Sequence, residues 1–264
     1  DRQTRAGRER SARLGPYFGY VGAREAPALG ASPELYVTRL EDLARCPWQL
    51  FLCRELRLEA APDALDALPA LSTVVVGNAV HAVLQRVVDR SAGERADERD
   101  SLAAALARGA VRVAWPEPAE LASIAAEAAL RIAADEGVRI PGFARALAQR
   151  ALGMIEVARA RDWSDPDGLA ALGAELTGDL VVRDAAGRDR RLGFIVDRAD
   201  LVDGVLRLTD YKTGKPVADV KREDTKREKL LAAISEGRAL QPAAYLAAAQ
   251  ALGAAQAEGR LLYL

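Results

Sequence analysis

Histidine, cysteine and methionine are scarce in this sequence. Its 264 residues include one histidine, two cysteines and one methionine. Two cysteines are too few for the disulfide framework of a small secreted protein, so we expect a reducing compartment, namely the cytoplasm. Six residues separate Cys46 from Cys53, a spacing that matches no zinc motif. Because two ligands cannot close a tetrahedral site, a structural zinc centre is not expected.

Long apolar segments are also missing. No run of 18 or more apolar residues occurs, so we expect no membrane-spanning helix. Residues 1–13 are charged and lack the apolar stretch of a secretory signal peptide. Apolar residues nevertheless make up 50% of the chain, which is enough for a sizeable buried core.

Neither sign of charge dominates. The formal net charge is −1, so the chain is not a uniformly basic nucleic-acid-binding protein. Lysine, however, is confined to one segment, from Lys212 to Lys229. This cluster fits contacts with phosphates, and it also fits a solvated helix face, because four acidic residues interleave with it. The acidic residues are Asp219, Glu223, Asp224 and Glu228, and both interpretations remain open.

The spacing of apolar residues divides the chain into three parts. Residues 1–34 are rich in Arg, Gly and Pro without a sustained period, which predicts an N-terminal arm or linker. The remainder, residues 35–264, is predicted to be one domain with a helical part over residues 35–163 and a β-rich catalytic part over residues 173–264. This order of elements predicts an α/β (or α+β) domain with a helical insertion.

Several individual elements follow from periodicity and from Pro and Gly positions. Thr38 is the expected N-cap of a first helix, and a second helix is predicted over residues 78–90. Three further helices are expected between residues 96 and 160. The remaining predictions are strands over 175–182, 192–199 and 205–211, a helix over 242–251 and a final strand over 260–264.

Asp203 and Gly204 predict a β-hairpin, because a type I′ turn needs positive φ at both central residues. With that turn, the predicted cross-strand pairs are Val202–Val205, Asp200–Arg207 and Arg198–Thr209. Continued outward, Asp197 falls opposite Asp210, and Lys212 points to the same face as Asp210. Two opposed carboxylates are destabilising unless something lies between them, and a divalent cation such as magnesium is the natural occupant. The apolar neighbours expected on this face are Ile195, Leu206 and Leu208.

The same residues have a simpler explanation. An Asp-x-Lys triplet at a strand end is common and is often only a surface ion pair, worth about 0–1 kcal/mol. The alignment of Asp197 with Asp210 also depends on the turn having two residues, because a one-residue bulge would misalign the pair. The hairpin alone therefore leaves the metal site and the ion pair open as alternatives.

Four short motifs occur along the chain: Cys46–Phe51 (CPWQLF), Gly77–His81 (GNAVH), Asp197 with Asp210–Lys215 (DYKTGK), and Gln241–Tyr245 (QPAAY). In this order they resemble the motifs of the PD-(D/E)XK nuclease superfamily. The aspartate-lysine hairpin resembles its catalytic core, and the wider set resembles its RecB-like branch, which includes nuclease domains of bacterial helicase–nucleases. A weaker similarity of residues 15–19 (GPYFG) points to an AddB-type subunit.

The resemblance implies a restriction-endonuclease-like core, a central mixed β-sheet flanked by helices. It also implies that His81, Asp197 and Asp210 hold Mg²⁺ or Mn²⁺, with the Tyr211 carbonyl as a further ligand. Lys212 would orient or activate the attacking water and stabilise charge on the phosphate. Gln241 and Tyr245, which share one helix face, would support the site or the DNA strand. A lone histidine or aromatic residue on an apolar helix face is otherwise a core residue.

The chain departs from the resemblance at two places. The family pattern places a glycine three residues before the first aspartate, whereas Gly193 precedes Asp197 by four. Several RecB-like nucleases carry an iron–sulfur cluster held by four cysteines, and only Cys46 matches a ligand position here. We therefore expect a shift in strand geometry near Asp197 and no iron–sulfur cluster in this chain.

The resulting functional expectation is a magnesium-dependent deoxyribonuclease. The resemblance implies an exonuclease that acts on single-stranded DNA, unwound DNA or a duplex end, in double-strand-break repair and recombination. The chain has no P-loop motif, so a helicase partner would be another domain or subunit. The alternative is a catalytically inactive nuclease-like module that binds DNA or acts as a scaffold.

Overall fold

The structure is a computed structural model that describes residues 35–58, 70–92, 100–165, 168–220 and 222–264. The arm or linker predicted for residues 1–34, including the segment at 15–19, lies outside the described residues. Within them, no helix is long and apolar enough to cross a membrane.

Eight helices occur in the described residues: α1 (Val37–Arg45), α2 (Pro47–Leu50), α3 (Thr73–Ala92), α4 (Leu102–Arg108), α5 (Pro118–Asp135), α6 (Phe143–Asp162), α7 (Glu223–Ser235) and α8 (Gln241–Ala251). A π-helical turn, Phe51–Glu55, follows α2. The described strands are β1 (Leu35–Tyr36), β2 (Val111–Val113), β3 (Leu169–Arg183), β4 (Asp189–Val202), β5 (Val205–Lys212) and β6 (Ala257–Tyr263).

The strands form one mixed sheet in the order β2-β3-β4-β5-β6, and β1 pairs with β4 beside this path. The β5–β6 and β1–β4 pairs are parallel, and the other pairs are antiparallel. Helices cover both faces of the sheet. The predicted fold class, a mixed α/β domain with a central mixed sheet flanked by helices, is therefore confirmed.

The predicted hairpin is also present. Asp203 and Gly204 have φ values of 51° and 80°, as a two-residue type I′ turn requires. The predicted register is confirmed over the pairs that form, because Val202 pairs with Val205, Asp200 with Arg207 and Arg198 with Thr209. Pairing ends there, so Asp197 and Asp210, which were expected directly opposite each other, lie one position beyond the last pair. Local turn chemistry thus determines which residues of β4 and β5 face each other.

Two helix starts differ from the prediction. Helix α1 begins at Val37 after Tyr36, so the predicted N-cap, Thr38, lies inside the helix. Helix α3 begins at Thr73, five residues before the predicted start at Asn78. The missed turn contains three consecutive valines, which favour strands. Tertiary packing overrides that preference, because Val75 and Val76 are buried in the same core as the rest of α3.

Each face of the sheet has its own core. One core joins α3, α5 and α6 to the sheet face that carries Tyr211. The other joins α4 and α8 to the face that carries Leu206 and Leu208. Alternate residues of β5 therefore point into different cores, and the last residues of the strand have different neighbours on the two faces of the sheet.

Strand β4 does not alternate strictly. Phe194, Val196 and Ala199 all pack in the core on the Leu208 side, although Val196 and Ala199 are three residues apart. Alternation must therefore shift between them, next to Asp197. The expectation that Ile195 shares this apolar face was wrong, because the shift brings Phe194 and Val196 there instead. The shift in strand geometry near Asp197 thus lies beyond Val196, because residues Gly193 to Val196 pair in regular order with β3.

Candidate active site

The two aspartates lie where β4 and β5 separate. Pairing between these strands reaches Arg198 and Thr209 and is not continued beyond them. Farther along, β1 pairs with β4 at Leu192 and Gly193. Since β3 occupies the other edge of β4, β1 takes the edge that β5 has left. Asp197 and Asp210 are the next residues after the last β4–β5 pair, so they face a fork in the sheet.

Asp197 occupies part of this gap with its side chain. Its Oδ2 accepts a hydrogen bond from the Tyr211 backbone N–H at 2.6 Å. A side-chain acceptor here takes the place that a cross-strand carbonyl would have in a continuous ladder. The contact fixes the carboxylate against the start of the Tyr211–Lys212 segment.

Asp210 is almost completely buried, with 4% of its surface exposed. Its Oδ2 lies 2.7 Å from the Lys212 ammonium, and its Oδ1 accepts a hydrogen bond from Gln241 Nε2 at 2.5 Å. Burial and the charge of Asp197 raise the pKa of Asp210 to about 6, although Lys212 and His81 act in the opposite direction. The site therefore holds negative charge that its own cations only partly offset.

Helix α8 supports the Asp210–Lys212 pair from one side. Gln241 Oε1 accepts a hydrogen bond from Lys212 Nζ at 2.8 Å, so one amide contacts both members of the pair. Tyr245, one turn later, donates to the Ile195 carbonyl at 2.9 Å and lies 3.5 Å from Asp210 Oδ1. Gln241 and Tyr245 thus contact the end of β5 and the middle of β4.

Helix α3 brings His81 to the other side. His81 Nδ1 lies 3.3 Å from Asp197 Oδ1. Burial opposes protonation of His81, but the hydrogen bond to Asp197 and the charges of three carboxylates raise its pKa overall. Gly77, one turn earlier, explains the glycine of the Gly-x-x-x-His motif. A Cβ there would lie 2.9 Å from Thr213 Oγ1, so a larger residue would displace the Thr213 side chain from its place against α3.

Sequence reasoning missed Glu175. His81, Glu175 and Asp197 each offer a ligand atom, and these three atoms lie within 4.8 Å of one another. Glu175 lies in β3 with a φ of 51°, a left-handed conformation that is uncommon for residues other than glycine. The available signal was an acidic residue between Ala174 and Leu176, both buried, in an otherwise apolar strand segment.

The residues present fit a divalent cation. One imidazole nitrogen and two carboxylates form a mixed set of the kind that Mg²⁺ and Mn²⁺ accept, with remaining positions left for water and phosphate. Asp210 Oδ2 is buried without a hydrogen-bond partner, although the Lys212 ammonium is close to it. This buried carboxylate oxygen and the three ligand atoms together carry negative charge that a bound cation would offset.

The predicted site residues therefore lie together at the fork, but the ligand group differs from the predicted set of His81, Asp197 and Asp210. His81 and Asp197 group with Glu175, whereas Asp210 is engaged by Lys212 and Gln241. Cys46, which matches an iron–sulfur ligand position in the resemblance, caps α2. Its Sγ accepts a hydrogen bond from the Gln49 N–H at 3.4 Å.

Tyr211 also anchors the site through its side chain. Its ring meets His81 edge-on with centroids 5.9 Å apart, and its hydroxyl accepts a hydrogen bond from Arg198 at 2.6 Å. Arg198 is fully buried and also contacts Asp200 and Asp162. This buried network behind the site was not predicted.

The comparison with protein families agrees with this geometry. A family model described as the PD-(D/E)XK nuclease superfamily matches residues 34–264, which is most of the chain. A comparison with curated proteins finds no match.

Proposed function

We propose that this chain, which belongs to the PD-(D/E)XK nuclease superfamily, is a magnesium-dependent deoxyribonuclease with its centre at the fork between β4 and β5. One observation carries the proposal. The fork brings a three-ligand group, His81, Glu175 and Asp197, beside the Asp210–Lys212 pair. A solvated surface ion pair would need neither the buried carboxylate nor the ligand group.

The finer assignment rests on the order of the motifs. We propose a RecB-like, AddB-type nuclease domain that acts with a helicase partner in double-strand-break repair and recombination in the cytoplasm. The four motifs occur in the order of that branch. Three of them, from α3, the β4–β5 hairpin and α8, contribute to one cluster. The domain would act as an exonuclease on single-stranded or unwound DNA.

The chemistry is hydrolysis of a phosphodiester. A bound divalent ion supplies Lewis-acid polarisation of a phosphoryl oxygen and lowers the pKa of a bound water. His81, Glu175 and Asp197 would hold it, with Asp210 and the Tyr211 carbonyl on the β5 side. The Lys212 ammonium would orient the attacking water and offset negative charge that develops on the phosphate. Gln241 keeps that ammonium in place by accepting its hydrogen bond.

An open groove of about 490 Å³ provides access to the ligand group. Asn78, Gln85 and Thr213 line it together with His81 and Glu175. These side chains are polar but uncharged, so the phosphates of a DNA strand in this groove would need cationic partners outside it. We propose that lysines after β5, such as Lys215 and Lys229, supply those contacts, which would make DNA binding depend steeply on salt.

A cleavage assay tests the proposed activity. End-labelled single-stranded DNA incubated with the chain and Mg²⁺ or Mn²⁺ should be degraded, and EDTA should abolish degradation. Early release of labelled mononucleotides or short products would indicate exonuclease action, whereas internal fragments would indicate an endonuclease. Intact DNA after prolonged incubation, with DNA binding retained, would favour the inactive binding module.

Thermal stability separates these two functions without a DNA substrate. With Mg²⁺ or Mn²⁺ at about a hundred times its Kd, the free energy of unfolding should rise by about 2–3 kcal/mol, since the ion binds only the folded chain. Asp197→Asn removes a ligand and should abolish most of this gain. Asp179→Asn is the matched control, because Asp179 lies in β3 and pairs with Arg191 at the surface. Equal melting temperatures with metal and with EDTA would contradict the metal site.

A further inference from the structure

Helix α8 begins without a cap of its own. Its N-cap residue, Leu240, has a helical backbone conformation and makes no side-chain capping hydrogen bond. The first N–H groups of a helix have no partner within the helix and need an external acceptor. Here Glu41, on α1, provides it. Its Oε1 accepts from the Leu240 N–H at 2.5 Å and from the Gln241 N–H at 3.2 Å.

The contact with Glu41 is one residue removed from the Asp210–Lys212 pair of the candidate active site. Glu41 holds the backbone of Gln241, and the side-chain amide of Gln241 contacts Lys212 and Asp210. A displacement of the first turn of α8 would therefore move that amide away from both partners. The contact of Glu41 with the Gln241 backbone therefore bears on the Asp210–Lys212 pair.

Electrostatics favour a carboxylate at this position. A negative charge at a helix N-terminus interacts favourably with the helix dipole. Burial raises the pKa of Glu41, while the two N–H groups and the charge of Lys212 favour its ionised form. The charge of Lys212 thus favours the carboxylate form of the residue that helps to place it.

Packing between α1 and the start of α8 does not depend on Glu41 alone. Leu40 and Leu240 both pack against the core on the α8 side of the sheet. Gly237 approaches Ala44 so closely that an added Cβ would lie 2.7 Å from the Ala44 Cβ. Removal of the Glu41 carboxylate should therefore leave the helices docked while freeing the first turn of α8.

We propose that Glu41 is a positioning residue, which holds the first turn of α8 so that Gln241 keeps Lys212 and Asp210 in their reactive arrangement. This proposal rests on the proposed nuclease function for its kinetic consequence. It assigns a role in the site to α1, the helix directly before the Cys46–Phe51 segment, which the hydrolysis mechanism otherwise leaves unexplained.

Three variants test it: Glu41→Ala, Glu41→Gln and Asp42→Ala. Asp42 is the matched control, because it is a half-buried carboxylate on the same helix that pairs with Arg45. Glu41→Ala should lower kcat about 10- to 100-fold with KM unchanged within about threefold, since misplacement of catalytic groups acts mainly on the chemical step. Glu41→Gln keeps an oxygen acceptor and should retain kcat within about threefold of the unaltered chain.

Two kinetic outcomes would overturn the proposal. One is a kcat for Glu41→Ala that equals that of Asp42→Ala, and the other is an equal loss in Glu41→Gln and Glu41→Ala. If the unaltered chain cleaves no DNA, the proposed function fails, and Glu41 is judged by NMR of the Gln241 side-chain amide. Its resonances should move in Glu41→Ala and stay in place in Asp42→Ala, and unmoved resonances in both would refute the positioning role.

Discussion

Replacement of Lys212 with alanine is expected to lower kcat for DNA cleavage by about 10²–10⁴-fold, because positioned proton transfer and charge stabilisation contribute effects of this size. The ammonium lies 2.7 Å from Asp210 and is held by Gln241, so it is fixed beside the three-ligand group. Loss of a single positive charge here removes the group placed to meet the attacking water and the phosphate.

The same substitution should leave metal binding intact. Lys212 is not a ligand, and its removal leaves the Asp210 carboxylate without its nearest cation, which favours binding of a metal ion. The metal-dependent gain in thermal stability should therefore persist while cleavage is lost. Arg183→Ala is the control, because Arg183 is an exposed cation that pairs with Asp189 across the β3–β4 hairpin. A Lys212→Ala variant with near-normal kcat would remove Lys212 from the reaction.

Much of this site could be predicted because its geometry is local. Asp203 and Gly204 determine a two-residue turn, and the turn determines the register of β4 and β5. From that register the relation of Asp210 to Lys212 follows by counting along a strand. The histidine was found by its motif, since nothing in helical periodicity distinguishes a ligand from a core histidine.

Glu175 and Arg198 could not be predicted in this way. Glu175 joins the ligand group from β3, across a bulge between Ala171 and Gly173 and through a left-handed backbone conformation of its own. Neither departure has a local sequence signal, because both depend on how β3 meets β4. Arg198 was predicted only to lie opposite Thr209, because its partner Asp162 on α6 is 36 residues away in sequence.

The largest effect on stability is expected from Arg198→Leu. The Arg198 side chain has no exposed surface and donates to both oxygens of Asp200 at 2.9 and 3.0 Å. It also pairs with Asp162 and lies over the Trp163 ring, 4.7 Å from its centroid. Removal of one partner of a buried ion pair leaves an uncompensated charge, which costs about 3–5 kcal/mol.

Charge balance within the network explains why one substitution is so costly. Arg198 and Arg260 offset Asp162 and Asp200, and Arg260 contacts Asp162 through two nitrogens. After Arg198→Leu, Asp162 keeps Arg260, whereas Asp200 loses the guanidinium Nε–H that both of its oxygens accept from, in a site where burial already raises its pKa. The double variant Arg198→Leu/Asp200→Leu removes this orphan charge and should be less destabilised than the sum of the two single variants.

Urea unfolding, with a shared m-value across the variants, gives the comparison. Arg207→Ala is the matched control, because Arg207 lies on the neighbouring strand and pairs with the more exposed Glu258 at 2.8 Å. Its loss should cost no more than about 1 kcal/mol. The network also holds the Tyr211 hydroxyl, and the Tyr211 N–H in turn holds Asp197. Arg198→Leu should therefore also weaken metal-dependent stabilisation, and a folded variant with unchanged stability and metal response would show that the buried charges act independently of the site.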